Sequence, residues 1–141
     1  MYANILLINK VRASKGLNTF SFRPHCGEAG SPDHQAAAYL TSHGINHGIT
    51  LYHANVLQYL YYLKQVGIAM SPVSNNKLFL EFVKNPCPKY LARGLNISLS
   101  TDDPLIMHLT DEPLLEEYSV ATQIWNFSVT DLSELVRNSV I

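Results

Sequence analysis

The sequence predicts an α/β fold built from parallel βαβ units, and three observations carry that expectation. Short apolar runs alternate with helical patterns, the connections between them are short, and the polar clusters all follow predicted strands. Four such units in a row fit a doubly wound sheet or part of a barrel. In a (β/α)8 TIM barrel, functional residues collect at the carboxyl ends of the strands, so the placement of the clusters points to a barrel. A whole barrel takes about 250 residues, and 141 residues supply only half of one.

The elements follow in order. Asn18–Pro24 alternates like a strand and stops at a proline. Ser31-Pro32 opens a helix as N-cap and first position, followed by His34–Ser42. Gly44–Thr50 is a strand bounded by glycine. His53–Gln65 carries Val56, Leu57, Leu60 and Leu63 at helical spacing, with Gly67 just past its end. Ile68–Pro72 is a third strand. Lys77–Val83 reads as a helix that stops before Asn85-Pro86. Leu95–Ser100 is a fourth strand and runs into Thr101-Asp102-Asp103-Pro104. Leu114–Trp125 and Thr130–Val140 are two more helices, the last with Thr130 and Ser133-Glu134 as its capping residues. Tyr59, Tyr61 and Tyr62 read as helix packing.

Composition narrows the function. Hydrophobic residues are 47% of the chain and charged residues 15%, against roughly 25% charged in globular domains. The chain is therefore unusually buried, or a piece of something larger. A net charge of −1 and a pI near 6.6 give no basic patch, so nucleic acid is not an expected partner. The charge-poor stretches are interrupted by Gly, Pro, Asn and Lys, so no membrane span is expected. The apolar run Ile5–Ile8 lacks a basic start and a small-residue cleavage site, so it does not read as a signal peptide. Cys26 and Cys87 form neither a disulfide framework nor a CxxC motif, which suits a reduced, cytoplasmic setting.

Four clusters carry candidate chemistry. In His25-Cys26-Gly27-Glu28, an imidazole that can bind metal stands three residues from a carboxylate that can move protons; a turn of solvated polar residues is the competing reading. In Asp102-Asp103, two adjacent carboxylates after an apolar strand need partners. One can bind a metal and the other a substrate, or both can serve a turn or helix start. His47 lies in an apolar strand, where a histidine is commonly a satisfied core residue. Ser71–Asn76 has the small polar residues of a ligand-facing loop, and equally of an ordinary turn. His34, His43, His53 and His108 read as structural or surface residues.

Taken together, these clusters resemble the adenosine and AMP deaminase superfamily. Its pattern is H-x-G-E, a later G-x-x-H-G strand, an S/C-P-x-S-N loop and a D-D-P. The chain has His25-Cys26-Gly27-Glu28, Gly44-Ile45-Asn46-His47-Gly48, Ser71-Pro72-Val73-Ser74-Asn75 and Asp102-Asp103-Pro104 in that order. The strings RPHCGEAG, GINHGI, VLQYLYYLKQVGIAMSPVSNN, LSTDDP and EPLLEEYSVA are similar to AMP deaminases rather than adenosine deaminases, over nearly the whole chain. Ile106-Met107 departs from an expected Gln-Phe, and Cys87 from Phe.

The resemblance implies one domain, residues 1–141, corresponding to about strands five to eight of a metal-dependent (β/α)8 barrel. It implies a zinc ion held by His25, Asp102 and two further histidines of an H-x-H that this sequence lacks. It implies Glu28 as proton shuttle, His47 as the residue orienting the attacking water, and Asp103 as hydrogen-bonding N7 of the base. Gly27, Ser71, Ser74 and Asn75 join Asp103 as substrate-binding residues. The implied reaction is hydrolytic deamination of AMP to IMP and ammonia by a homo-oligomeric enzyme. Adenosine deaminase and a non-catalytic barrel fragment are the alternatives. With two of four ligands, the chain alone is expected to be inactive. It is also expected to self-associate through an apolar sheet face bearing Phe22, Ile68 and Ile97.

Overall fold

Four parallel strands lie at the centre: β1 (His25–Cys26), β2 (Gly44–His47), β3 (Gly67–Met70) and β4 (Ile97–Leu99), hydrogen-bonded in the order β1-β2-β3-β4. The structure, a computed structural model, describes residues 1–78 and 80–140. Phe79, inside the expected helix Lys77–Val83, and Ile141 lie outside the described residues. Strand order repeats sequence order and every pair is parallel. A doubly wound sheet reverses its order at a switch point, and this one does not.

Among the described residues, eight helices accompany the strands: α1 (Tyr2–Ser14), α2 (Asp33–Thr41), α3 (Asn55–Lys64), α4 (Pro72–Leu78), α5 (Cys87–Ala92), α6 (Pro104–Met107), α7 (Pro113–Trp125) and α8 (Val129–Val140). The ladder sets which side chains they cover. Ile45, Ile68 and Ile97 stand in one row across β2, β3 and β4; Asn46, Ala69 and Ser98 stand in the next and so point to the opposite face. The isoleucine row is buried in one core with Met70, Leu99, Ala38 of α2, Tyr61 of α3, Leu91 of α5, Ala121 of α7 and Leu135 of α8. The buried phenols are satisfied. Tyr61 donates to the Gln35 carbonyl at 3.0 Å, and Tyr90 to the Gly48 carbonyl at 3.0 Å.

This orientation overturns the expected apolar open face. Ile68 and Ile97 are fully buried under the helices, and Phe22 is half-buried with its ring 6.3 Å from that of Tyr2. The other face carries Asn46, Ala69 and Ser98, which line a polar hollow with Arg23, Gln65 and Gly67.

Several element boundaries also differ from expectation, each for a local reason. Asn18–Pro24 is not a strand: the Phe20 amide donates to Asn9 Oδ1 (2.7 Å) and the Phe22 amide to His43 Nδ1 (3.1 Å), so side chains take the place of a ladder. Helix α1 was not anticipated; it buries no residue and so has no core stripe to announce it. β2 ends early because His47 (φ 71°) and Gly48 (φ 62°) turn the chain into a 3-10 segment, Ile49–His53. Gln65 (φ 51°), not Gly67, closes α3, and Gly67 opens β3. The expected loop Ser71–Asn76 is mostly helix α4, for which Pro72 suits the first position. The described residues of the expected helix Lys77–Val83 fall in the end of α4 and in or before a 3-10 turn, Phe82–Lys84. Helix α8 is capped by Ser128 rather than Thr130. Asp131 Oδ2 accepts the Ser128 amide (2.8 Å), and Ser128 Oγ accepts the Asp131 amide (3.2 Å).

Adjacent positions on β4 therefore differ in what they support. Ile97→Ala is expected to lower unfolding free energy by roughly 2–5 kcal/mol, and Ser98→Ala to change it by about 0.5 kcal/mol or less, in urea titrations. Equal losses would contradict the assignment of faces.

Candidate functional site

All four strands deliver polar residues at their carboxyl ends. β1 begins at His25 and leads into Gly27-Glu28, β2 ends at His47, β3 leads into Ser71, and β4 leads into Ser100–Asp102. His25, Asn46, His47, Ser71, Ser100 and Asp102 line a cleft of about 300 Å³ there, with Thr101.

His25, His47 and Asp102 each present one ligand atom, all within 4.8 Å of one another. His25 Nε2 and Asp102 Oδ1 are 3.8 Å apart, too far for a hydrogen bond. Two ligands about 2.1 Å from a tetrahedral zinc ion sit roughly 3.4 Å apart, so the spacing suits a shared cation. The His25 and His47 rings lie 4.9 Å apart, tilted by 47°. His25 is exposed, whereas His47 is 1% exposed.

His47 and Asp102 have left-handed backbones, φ 71° and 56°. Few residues other than glycine adopt this region, and Asp and His are among those enriched there. The turn at each strand end is what aims the side chain into the cleft. Asp102 Oδ2 accepts a hydrogen bond from Ser74 Oγ at 2.8 Å, leaving Oδ1 toward His25. Glu28 follows Gly27 (φ 77°), where a Cβ would stand 1.5 Å from Gln35 Nε2, so only glycine fits. Glu28 Oε1 then lies 3.6 Å from His47 Nε2, a buried nitrogen without a hydrogen-bond partner among the described residues. On the other side of the ring, His47 Nδ1 is 3.2 Å from Asn75 Nδ2. Burial lowers the His47 pKa from its ordinary 6.5; Glu28 and Asp102 oppose that shift, and His25 adds to it.

The remaining sequence-derived candidates are placed as follows. Ser71, Ser74 and Asn75 are buried, and their side chains bond to Ser100 (2.8 Å), Asp102 and His47 respectively. The Gly27 carbonyl accepts the Thr50 amide. Asp103 is exposed and does not line the cleft; its backbone carbonyl accepts the Ile106 and Met107 amides at the start of α6.

One pair escaped the sequence reading. Glu117 and His108 have fully buried side chains, with Glu117 Oε1 3.0 Å from His108 Nε2. Glu117 Oε2 accepts the amide of Val73 at 3.1 Å, in the first turn of α4, the helix that bears Ser74 and Asn75. Burial raises the Glu117 pKa, against the Val73 amide and His108, which lower it. A signal existed: Glu117 stands four residues before Ala121 on the buried stripe of α7, and an acid there requires partners.

A family model described as AMP deaminase matches residues 1–141. The chain is 60% identical over its whole length to the AMP deaminase of Dictyostelium discoideum, 60% to that of Saccharomyces cerevisiae and 57% to human AMP deaminase 3. It spans 17–18% of the length of these relatives. Among solved structures it is similar to an adenine deaminase from Arthrobacter aurescens, with a TM-score of 0.81 and 25% identity over 95% of this chain and 40% of that one. It shares its fold with an amidohydrolase from Burkholderia ambifaria, crystallised with bound zinc (TM-score 0.72, 22% identity, 89% of this chain and 35% of that one). Among the described residues, no helix is long and apolar enough to cross a membrane.

The depressed His47 pKa has a defined stability consequence. Folding favours the neutral ring, so this contribution is present above about pH 6.5 and is lost as pH falls through the lower folded value. Denaturant midpoints at pH 7.5 and 5.5 should therefore fall less in His47→Gln than in the unsubstituted chain. An equal fall would remove His47 as a source of the acid sensitivity.

Proposed function

The chain belongs to the AMP deaminase family, and from that premise we propose that it carries part of the catalytic site for zinc-dependent hydrolytic deamination of AMP to IMP and ammonia. The observation that carries the reading is the convergence of His25, His47 and Asp102 within 4.8 Å, with Glu28 3.6 Å from His47, at the carboxyl ends of parallel strands. The four strands are read as strands five to eight of a (β/α)8 barrel. Their sequential, all-parallel order and the burial of the isoleucine row against the helices support this.

The donor set fits zinc: one exposed imidazole and one carboxylate oxygen face each other, with the second carboxylate oxygen already occupied by Ser74. His25 and Asp102 would hold the ion, which when bound lowers the pKa of water toward neutrality. Glu28 takes the proton from the attacking water and delivers it to N1 of the adenine ring. His47 orients that water beside Glu28. The family reading assigns Asp103, which is exposed beside the cleft, to N7 of the base. Ser71, Ser74 and Asn75 act mainly through the groups they hold, Ser100, Asp102 and His47. The family reading also carries a cytoplasmic location and a homo-oligomer.

Two further histidine ligands are not supplied by these 141 residues. The isolated chain is therefore expected to hold zinc weakly and to leave AMP unchanged in an absorbance assay; stoichiometric zinc with turnover would refute that ligand count. In a form that turns over AMP, Glu28→Gln is expected to keep its zinc and lose roughly 10²–10⁴-fold in kcat, while Asp102→Ala loses zinc as well. Near-normal turnover by Glu28→Gln would remove it as the proton carrier.

A further inference from the structure

We infer that Asn85 is a positioning residue that fixes the tautomer of His47 through Asn75, so that the ring carries its proton on Nε2, toward Glu28. The catalytic consequence rests on the deaminase reading above; the tautomer itself follows from a chain of hydrogen bonds with only one consistent direction.

The chain starts at a group that cannot reverse. The backbone amide of Cys87 only donates, and it donates to Asn85 Oδ1 at 3.0 Å. Turning the Asn85 side chain over would set its NH2 against that N–H, donor against donor. Asn85 Nδ2 is thereby aimed at Asn75, where it meets Oδ1 at 3.4 Å. Asn75 must keep its oxygen on that side, so it offers its NH2 to His47 Nδ1 at 3.2 Å. A donor facing Nδ1 requires that nitrogen to be the acceptor, and in a neutral imidazole the proton then sits on Nε2.

Every member is shielded from water that might substitute for a partner: Asn75 is 0%, His47 1% and Asn85 4% exposed. Breaking one bond leaves a buried polar group unsatisfied, and this holds the direction of the whole chain. The protonated Nε2 is the nitrogen that has no hydrogen-bond partner among the described residues and lies 3.6 Å from Glu28 Oε1. This distinguishes His47 from His25. Although His47 Nε2 is close enough to share a cation, a nitrogen that bears a proton donates a hydrogen bond and does not ligate. Asn85 thus decides that His47 presents a donor to the cleft.

The test reads the ring directly. Long-range 1H–15N spectra of protein labelled with 15N-histidine distinguish the two tautomers, with His47→Gln identifying the signal. The unsubstituted protein should show Nε2–H; a ring with Nδ1–H would overturn the inference. Asn85→Ala and Asn85→Asp both remove the amide donor, and Asp retains an acceptor for Cys87. Either variant should shift His47 toward Nδ1–H, and a folded variant with an unchanged ring would also overturn the inference. If one variant does not fold, the other carries the comparison, and the unsubstituted ring decides independently. In the zinc-loaded, AMP-active form, the same variants should lower kcat on the order of 10²-fold, with zinc content and KM little changed. Absence of AMP turnover by unsubstituted protein supplied with the two further histidine ligands and zinc would instead refute the substrate assignment and leave the tautomer result standing.

Discussion

Because His25 pairs with Asn46, Asn46 with Ala69 and Ala69 with Ser98, the four strands run in step and their ends rise to one level. Both the core and the cleft depend on that register. A slip of one residue in β4 would exchange Ile97 for Ser98 in the buried row. It would also move Asp102 about 3.3 Å along its strand, nearly the whole separation between Asp102 and His25. Hydrophobic burial of the isoleucine row therefore holds the ligand spacing, although no isoleucine touches a ligand.

A second support acts from behind the cleft. Helix α4 has seven residues, too few to be stable in isolation. It stays in place because its ends and faces are tied elsewhere: Val73 to Glu117, Asn75 to Asn85, and Lys77 to the Met107 carbonyl. The buried Glu117 would be costly without partners, and the Val73 amide and His108 offset that cost. From this braced helix, Ser74 and Asn75 reach Asp102 and His47, which lie on two different strand ends. One short segment thus coordinates half of the cleft.

The parts of this architecture governed by local rules were legible in the sequence. Apolar spacing announced α3, and short apolar runs announced β2, β3 and β4. The placement of the clusters bearing His25, His47 and Asp102 after expected strands pointed to a common site, although the strand expected before His25 is not one. What was not legible depends on partners remote in sequence. Asn18–Pro24 has strand alternation, but Asn9 and His43 take its amides. Ser71–Asn76 has turn composition, yet Glu117, 44 residues from Val73, supplies the acceptor that supports a helix. Ile68 and Ile97 have the side chains of a barrel filling, but the pleat sends them under the helices, and period-2 alternation alone does not say which face is covered.

The left-handed backbones of His47 and Asp102 carry a consequence for how this chain can change. Each such conformation at a residue other than glycine costs about 1–3 kcal/mol. Glycine would relieve both positions and remove the two groups that the cleft is built to display. Selection or engineering that rewards thermal tolerance alone will favour such relief at these two strand ends, whereas mutations in the isoleucine row are opposed by packing. Stability and chemistry are thus in direct competition at His47 and Asp102. A hardened version of this chain would have to gain its stability elsewhere, at surface caps and exposed helix positions such as those of α1.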